Sequence, residues 1–222
     1  MRCSGECSTR PSECQGRAHV NARITLVSHS STSATAAAAF PAGEPLDVRG
    51  RSWAVAARGL LPRADHIGSG PAPACGQTCD ALGLVAEVDP TLADWDLGRW
   101  RGRTLDEMAA GEPDAVQAWL ADPTAAPHGG EPLVALLARV EAWLTTVPVG
   151  HTIAVTGPAL VRAAVVVTLG APPGAFWRID VPPLTTTDLR GGPPRWTIRA
   201  TGVALAGPRR PAEGVDGLDE AH

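Results

Sequence analysis

The sequence predicts an α/β domain with three layers, in which a largely parallel β-sheet lies between helices. Short apolar runs rich in β-branched residues alternate along the chain with longer segments whose apolar residues recur at helical spacing. This alternation is typical of parallel sheets, because parallel neighbours need a crossover connection that is usually a helix. The 222 residues, 44% of them hydrophobic and 19% charged, fit one folded domain with extensions at its ends.

Five segments have the composition of strands and end at residues that favour turns. The first covers residues 24–27 and the second covers residues 152–156, followed by Gly157. Three more are predicted at residues 176–181, 185–189 and 195–200. Ligands of α/β sheets lie beyond the carboxyl ends of the strands, so we expect a site where His29 and Gly157 meet.

The clearest helix is predicted after Pro132, on a stripe of apolar residues at helical spacing. Its members are Leu133, Leu136, Leu137, Val140 and Leu144. A second long helix is expected between Pro158 and Gly170, because proline suits the first helical turn and glycine the C-terminal cap. Shorter helices are predicted at residues 53–60, 74–82, 105–110 and 113–120.

The two ends of the chain differ from its middle in composition. Residues 1–22 are polar and lack periodicity, and residues 204–222 turn to glycine, proline and charge. We therefore expect a flexible N-terminal extension at 1–22, a folded domain at 23–203 and a flexible C-terminal tail at 204–222.

Charge and composition exclude several classes of function. All 19 basic residues are arginine, which excludes lysine Schiff bases and Walker A loops. The net charge of −4 does not favour nucleic acid or an anionic membrane as a partner. No apolar run approaches the roughly 18 residues that a transmembrane helix needs. An odd number of cysteines, five, in a chain without a signal-like start predicts a reduced, cytoplasmic protein.

The cysteines also allow one metal hypothesis. Cys3 and Cys7 are four residues apart, as are Cys75 and Cys79, and four thiolates could hold zinc. The first pair lies in the predicted extension, however, and Cys14 would be left over. We predict no metal and no cofactor, with zinc as the alternative.

A series of short stretches, in order along about four fifths of the chain, is similar to one known family. The stretches are Ser28 to Thr32, Phe40-Pro41, Pro45 to Gly50, Gln77-Thr78, Asp94 to Gly102, Gly129 to Glu131, Val155 to Arg162, Phe176 to Ile179 and Arg195-Trp196. Together they resemble the histidine phosphatase superfamily, also called phosphoglycerate-mutase-like proteins. This resemblance implies a phosphoglycerate-mutase-like three-layer fold.

The resemblance also implies phosphoryl transfer through a phosphohistidine. A neutral imidazole attacks phosphorus, two arginines and a second histidine hold the phosphate oxygens, and a carboxylic acid protonates the leaving alcohol. On the matching positions of this sequence, His29 is the implied nucleophile and Asp94 is the implied acid.

The remaining positions of the phosphate pocket depart from the family pattern. The arginine expected before His29 is Ser28, the second arginine is Ala74 and the second histidine is Gly157. The glycine expected after the nucleophile is Ser30. Removing one donor to a developing oxyanion costs roughly 10²–10³ in rate, so these replacements make ordinary turnover doubtful.

Other residues near the implied site have structural interpretations. Ser28, Ser30, Thr32, Ala74, Gly157 and Pro158 are expected to line the pocket. Thr32 is also expected to cap the following helix. Arg162, on an apolar helix, is expected to form a buried structural ion pair. Five tryptophans, Trp100, Trp119, Trp143, Trp177 and Trp196, are expected to serve packing.

Three functions follow as hypotheses. The first is a family member with a degraded phosphate pocket and little or no phosphatase activity, retained to bind a small molecule or a partner. The second is an active phosphomonoester hydrolase or mutase that works through phospho-His29 in a rearranged pocket. The third is an acid–base enzyme that uses His29 and Asp94 on an uncharged substrate. No feature of the sequence identifies a protein partner or an oligomeric state.

Overall fold

A six-stranded sheet organises the computed structural model, which describes residues 22–193 and 195–205. The strands are β1 (Ala22–Ser28), β2 (His66–Ser69), β3 (Glu87–Val88), β4 (Gly150–Thr156), β5 (Thr185–Gly192) and β6 (Arg195–Ala204). Their spatial order is β3-β2-β4-β1-β5-β6. The first four of these are parallel, whereas β5 and β6 are antiparallel to their neighbours. The predicted largely parallel sheet is therefore confirmed.

Seven α-helices and three short 3₁₀ helices connect the described strands. The α-helices are α1 (Ser33–Ala37), α2 (Val48–Ala56), α3 (Pro73–Leu82), α4 (Leu105–Gly111), α5 (Pro113–Ala121), α6 (Leu133–Thr146) and α7 (Pro158–Leu169). The 3₁₀ helices are Pro90–Leu92, Gly98–Trp100 and Pro173–Arg178. The two long predicted helices are confirmed as α6 and α7, and α7 ends in a left-handed cap at Gly170.

Hydrophobic side chains cover both faces of the sheet, because neighbouring residues of a strand point to opposite sides. Ile24 and Leu26 of β1 belong to a core cluster that also holds buried residues of α6 and α7. Val27 of β1 belongs to a second cluster, with Ile153 and Val155 of β4 and buried residues of α2 and α3. The helices thus lie on both faces, as the three-layer prediction required.

Two of the predicted elements differ from the observed ones. Residues 176–181 were expected to form a strand, but they fall in and after the 3₁₀ helix Pro173–Arg178. Pro172 and Pro173 fix φ at helix-compatible values, and Phe176 is fully buried, so local chemistry and packing both favour the turn. Helix α2 begins five residues before the predicted segment 53–60, because the Asp47 side chain caps it.

The predicted extension and tail fall almost entirely outside the described residues. Ala22 already belongs to β1, and Ala204 is the last residue of β6. The folded domain therefore extends one residue further at each end than predicted, and the expected flexibility of residues 1–21 and 206–222 lies outside the described residues and stays a prediction. Among the described helices, none has the length and apolar character that crossing a bilayer requires.

Candidate functional site

His29 follows β1 directly and is held by the neighbouring strand. Its backbone N–H donates to the carbonyl of Thr156 at the end of β4 (2.9 Å). The ring Nδ1 lies 2.8 Å from the carbonyl oxygen of Ser30. Because a carbonyl can only accept, Nδ1 carries the proton in this hydrogen bond. In the neutral ring, Nε2 is then the unprotonated nitrogen and is available as a base or a nucleophile.

The two serines beside His29 use their hydroxyl groups to hold the loop. Ser28 Oγ donates to the carbonyl of Pro182 (2.7 Å) and accepts from the backbone N–H of Thr185 (3.0 Å). Ser30 Oγ donates to the carbonyl of Gly50 in α2 (2.8 Å). Both side chains are almost fully buried. The family resemblance implies an arginine at position 28 and a glycine at position 30. The serines at these positions instead form hydrogen bonds with backbone groups.

Thr32 and Ala74 also form contacts that stabilise the fold around His29. Thr32 is the N-cap of α1 and accepts from the backbone N–H of Thr35 (3.2 Å), so the predicted capping is confirmed. Ala74 is buried in α3, where its carbonyl accepts from Thr78 Oγ1 (2.7 Å). The same hydroxyl accepts from the backbone N–H of Ser30 (3.1 Å). Helix α3 thereby packs directly against the His29 loop.

Asp94 reaches the N-terminus of α7 from the loop after the 3₁₀ helix Pro90–Leu92. Its Oδ1 accepts from the backbone N–H of Leu160 (2.9 Å). Loss of solvation in this environment raises the pKa of the Asp94 carboxyl, although backbone N–H donors and the nearby charge of His29 act in the opposite direction. Asp94 therefore holds its proton to a higher pH than an exposed aspartate does.

Gly157 leaves the space that this carboxyl group occupies. A Cβ atom at position 157 would overlap the Cβ, Cγ and Oδ2 atoms of Asp94. The backbone of Gly157 (φ −83°, ψ 163°) is accessible to any residue, so the requirement for glycine is steric. The Asp94 carboxyl group thus stands directly beside the position to which the resemblance assigns the second histidine.

A cavity of about 720 Å³ opens beside these residues. Three of the predicted site residues line it, namely His29, Asp94 and Pro158. The other residues of its wall are Ala34, Thr35, Ala38, Ala39, Phe40, Pro41, Trp95, Leu97, Leu105, Trp119, Leu120, Ala159, Arg162, Phe176, Trp177, Asp180, Val181, Pro182 and Pro183. The five predicted lining residues Ser28, Ser30, Thr32, Ala74 and Gly157 lie outside this wall, because they are buried in the contacts described above.

Arg162 has surroundings that differ from the sequence prediction. No described carboxylate lies within 4.0 Å of the Arg162 guanidinium, so the expected ion pair is not found among the described residues. Arg162 instead lines the cavity, as do Trp119 and Trp177. The expected packing role of the five tryptophans is confirmed, because Trp100, Trp119 and Trp143 belong to the core cluster and Trp177 and Trp196 pack against it.

The described cysteines do not form a metal centre. Cys75 and Cys79 are buried in α3 as free thiols, and burial raises the pKa of Cys79 to about 11. Within residues 22–193 and 195–205, no group of three histidine, cysteine or acidic side chains is arranged to hold a metal ion. Cys3, Cys7 and Cys14 lie outside the described residues, so the four-thiolate hypothesis stays a prediction.

Solved structures share this architecture. A mycobacterial glucosyl-3-phosphoglycerate phosphatase in complex with VO3 superimposes with a TM-score of 0.71 and 26% identity, over 82% of this chain and 99% of that one. A phosphoserine phosphatase mutant from Entamoeba histolytica superimposes with a TM-score of 0.73 over 82% of this chain and 96% of that one. Its identity of 14% shows a common fold alone.

Sequence comparisons agree with the structural ones. The glucosyl-3-phosphoglycerate phosphatase of Mycobacterium tuberculosis is 45% identical over 60 residues, and this match spans 27% of each chain. The model of the histidine phosphatase superfamily, branch 1, matches residues 24–203, most of the chain. On this match, and with the fold and the position of His29 in place, the chain belongs to the histidine phosphatase superfamily.

Proposed function

We propose that this protein has little or no ordinary phosphatase activity and uses the cavity beside His29 to bind a ligand. The proposal keeps the family fold and the family histidine but assigns the pocket a different occupant. Ser28, Ala74 and Gly157 stand where the family resemblance implies two arginines and a histidine.

The loss of positive charge is the electrostatic support. Phosphoryl transfer depends on donors that stabilise the charge of the transferring group, and each missing donor costs roughly 10²–10³ in rate. Such losses do not simply add, since groups that act together are not independent. Among the described residues that line the cavity, Arg162 is the single permanent cation. One guanidinium is a poor substitute for two guanidiniums and an imidazole.

The observation that carries the proposal is the position of the Asp94 carboxyl group. It overlaps the space of any side chain at position 157 and accepts from the N–H of Leu160 at the start of α7. A helix N-terminus is a natural anion site, and here a side chain of the protein already uses its donors. A phosphate group beside His29 would have to compete with this carboxyl group.

The character of the cavity favours an apolar ligand. Aromatic rings of Phe40, Trp95, Trp119, Phe176 and Trp177 form much of its wall. Its volume of about 720 Å³ is within the range of small-molecule sites. Such walls stabilise a ligand mainly by removing its apolar surface from water.

Hydrolysis of p-nitrophenyl phosphate tests the proposal. We expect the wild-type protein and His29→Ala to release p-nitrophenol at the same background rate. A mycobacterial glucosyl-3-phosphoglycerate phosphatase is the positive control, and glucosyl-3-phosphoglycerate should be assayed as a second substrate because the relatives carry that name. A rate in the usual enzyme range that His29→Ala abolishes would overturn the proposal. Acid-labile phosphate trapped on His29 would do the same and would favour a phosphohistidine enzyme.

A second candidate function is acid–base chemistry on an uncharged substrate. Two observations favour it. Nε2 of His29 is free to accept a proton, and the neighbouring Asp94 holds its proton more firmly than usual. General acid–base catalysis needs a proton acceptor and a proton donor that both face the substrate, and His29 and Asp94 both line the cavity.

The acid–base function requires both the His29 and the Asp94 side chain. Any hydrolytic or isomerising activity found with an uncharged substrate should fall by about 10²-fold or more in His29→Ala and in Asp94→Asn. If both variants retain the wild-type rate, the acid–base candidate is wrong.

A further inference from the structure

Arg162 is placed in the cavity without a counter-ion. It projects from the second turn of α7, and its guanidinium carbon lies 5.8 Å from the centroid of the Phe176 ring. Its Nε atom is buried and has no hydrogen-bond partner among the described residues. The two described carboxylates of the wall, Asp94 and Asp180, both lie more than 4.0 Å from the guanidinium.

A half-buried cation in such surroundings is energetically unfavourable. Charges withdrawn from water are normally paired, and a buried donor without a hydrogen-bond partner destabilises the folded protein. A ligand that supplies an anionic oxygen to the terminal N–H groups of the guanidinium would neutralise its charge and would gain a charge-assisted hydrogen bond. The guanidinium therefore selects for one negatively charged group on the occupant of the cavity.

The aromatic side chains of the cavity wall favour a ligand that carries an aromatic ring beside its negatively charged group. Phe176 lies under Arg162, and Trp95 packs edge to face on the same ring, with centroids 5.3 Å apart. Trp119 and Trp177 continue this wall, with centroids 4.6 Å apart. Rings of this kind prefer flat aromatic partners, in offset stacks or edge-to-face contacts.

We propose that the cavity binds an aromatic carboxylic acid, whose ring packs against Trp95 and Trp177 and whose carboxylate pairs with Arg162. This inference rests on the proposed ligand-binding function of the same cavity and names the chemical class of the ligand. A carboxylate carries one negative charge, which one guanidinium neutralises in a bidentate pair.

Calorimetric titration with matched probes tests this inference. 2-Naphthoate has the ring and the charge, 2-naphthamide has the ring without the charge, and 1-naphthyl phosphate is the phosphatase substrate of the same size. For the wild-type protein we expect 2-naphthoate to bind about tenfold or more tightly than 2-naphthamide, as for a hydrogen bond to a charged group. Arg162→Met should remove this preference and leave the affinity for 2-naphthamide unchanged.

Two further variants control the experiment. Arg162→Lys keeps a charge without the planar fork and should retain part of the preference. Arg199→Gln removes an exposed arginine of β6, outside the cavity wall, and should bind like the wild-type protein.

Other results would contradict the role of Arg162, the aromatic ligand class or the proposed function. Equal affinities for the two naphthalene probes, or a preference that survives in Arg162→Met, would overturn the role of Arg162. Failure of both probes to bind would overturn the aromatic ligand class. Hydrolysis of 1-naphthyl phosphate that depends on His29 would instead overturn the proposed function, whatever the effect of Arg162→Met.

Discussion

Gly157 and Asp94 are complementary residues, because the side chain of one occupies the space that the other lacks. The Asp94 carboxyl group would overlap a Cβ at 157, and it also satisfies the N–H of Leu160. Gly157 stands at the position to which the family resemblance assigns a histidine. Its missing side chain permits a packing of the pocket in which the Asp94 carboxyl group lies against the start of α7.

A double-mutant cycle tests this complementarity. Gly157→Ala should lower the free energy of unfolding by about 1–3 kcal/mol, as for an extra methyl group in a packed site. In the Asp94→Ala background the same substitution should cost at least about 1 kcal/mol less, because the overlapping group is gone. Urea unfolding of the four proteins measures both values. Additive effects would show that the two side chains do not compete for space.

The raised pKa of Asp94 predicts how stability depends on pH. A carboxyl whose pKa is higher in the folded than in the unfolded protein binds more protons when folded. Its contribution to stability is complete below the unfolded pKa of about 3.9 and is lost as the pH rises through the folded pKa. The free energy of unfolding of the wild-type protein, minus that of Asp94→Asn, should therefore fall as the pH rises above about 4.

Asparagine is the matched replacement for this measurement, since its side-chain oxygen can still accept from Leu160. Urea unfolding at several pH values gives the difference directly. A difference that stays constant, or that rises with pH, would contradict the assigned direction of the Asp94 shift.

At the scale of secondary structure elements, helix α7 has a sharp beginning and a sharp end. Pro158 occupies its first turn, and Gly170 closes it with φ of 58°, a conformation that favours glycine. These two residues fix where the helix begins and ends. Ala159 and Arg162, in its first two turns, line the cavity.

A matched pair of glycine substitutions tests whether the left-handed backbone at Gly170 requires glycine. No neighbouring atom lies within 4 Å of a Cβ built at Gly170 or at Gly76, so neither substitution meets a steric clash. Gly170→Ala should destabilise the protein by about 1 kcal/mol, because of its left-handed backbone. Gly76→Ala, inside α3, should stabilise it by about 0.4–1 kcal/mol. Thermal unfolding that moves in the same direction for both variants would contradict this backbone explanation.

Sequence patterns predicted the elements with strong local signals and missed those defined by tertiary contacts. The apolar stripe of α6 and the β-branched run of β4 are unambiguous locally. Strands β2 and β3 were missed because they are short and their sequences, HIGS and EV, carry little apolar character. The segment after Pro172 has the composition of a strand but forms a 3₁₀ helix, because the prolines restrict φ.

The residues of the candidate site follow the same rule: those in a sequence motif were predicted, and those defined by tertiary contacts were not. The family motif placed His29, Asp94 and Pro158, which the fold brings to one cavity. The overlap between Asp94 and position 157 depends on a contact between segments more than 60 residues apart, which no local pattern contains. Arg162 was missed as a cavity residue because an arginine on an apolar helix is more commonly paired.

At the scale of the whole molecule, the sheet brings the site together. β1 and β4 are parallel neighbours, so His29 and Gly157 leave the sheet at the same edge. Residues of the α1, α4, α5 and α7 helices and of the 3₁₀ helix Pro173–Arg178 then enclose the cavity. The family fold is thus complete, and the proposed change of function lies in the chemistry of a few side chains on it.

Vanadate binding tests the central proposal, that this pocket does not bind a tetrahedral phosphate. Vanadate resembles the transition state of phosphoryl transfer, and analogues of this kind bind active phosphatases tightly. Calorimetric titration should show no saturable binding to the wild-type protein, and the same result for His29→Ala. The mycobacterial phosphatase solved with VO3 serves as the positive control. A dissociation constant of about 1 µM or lower, lost in His29→Ala, would contradict the account.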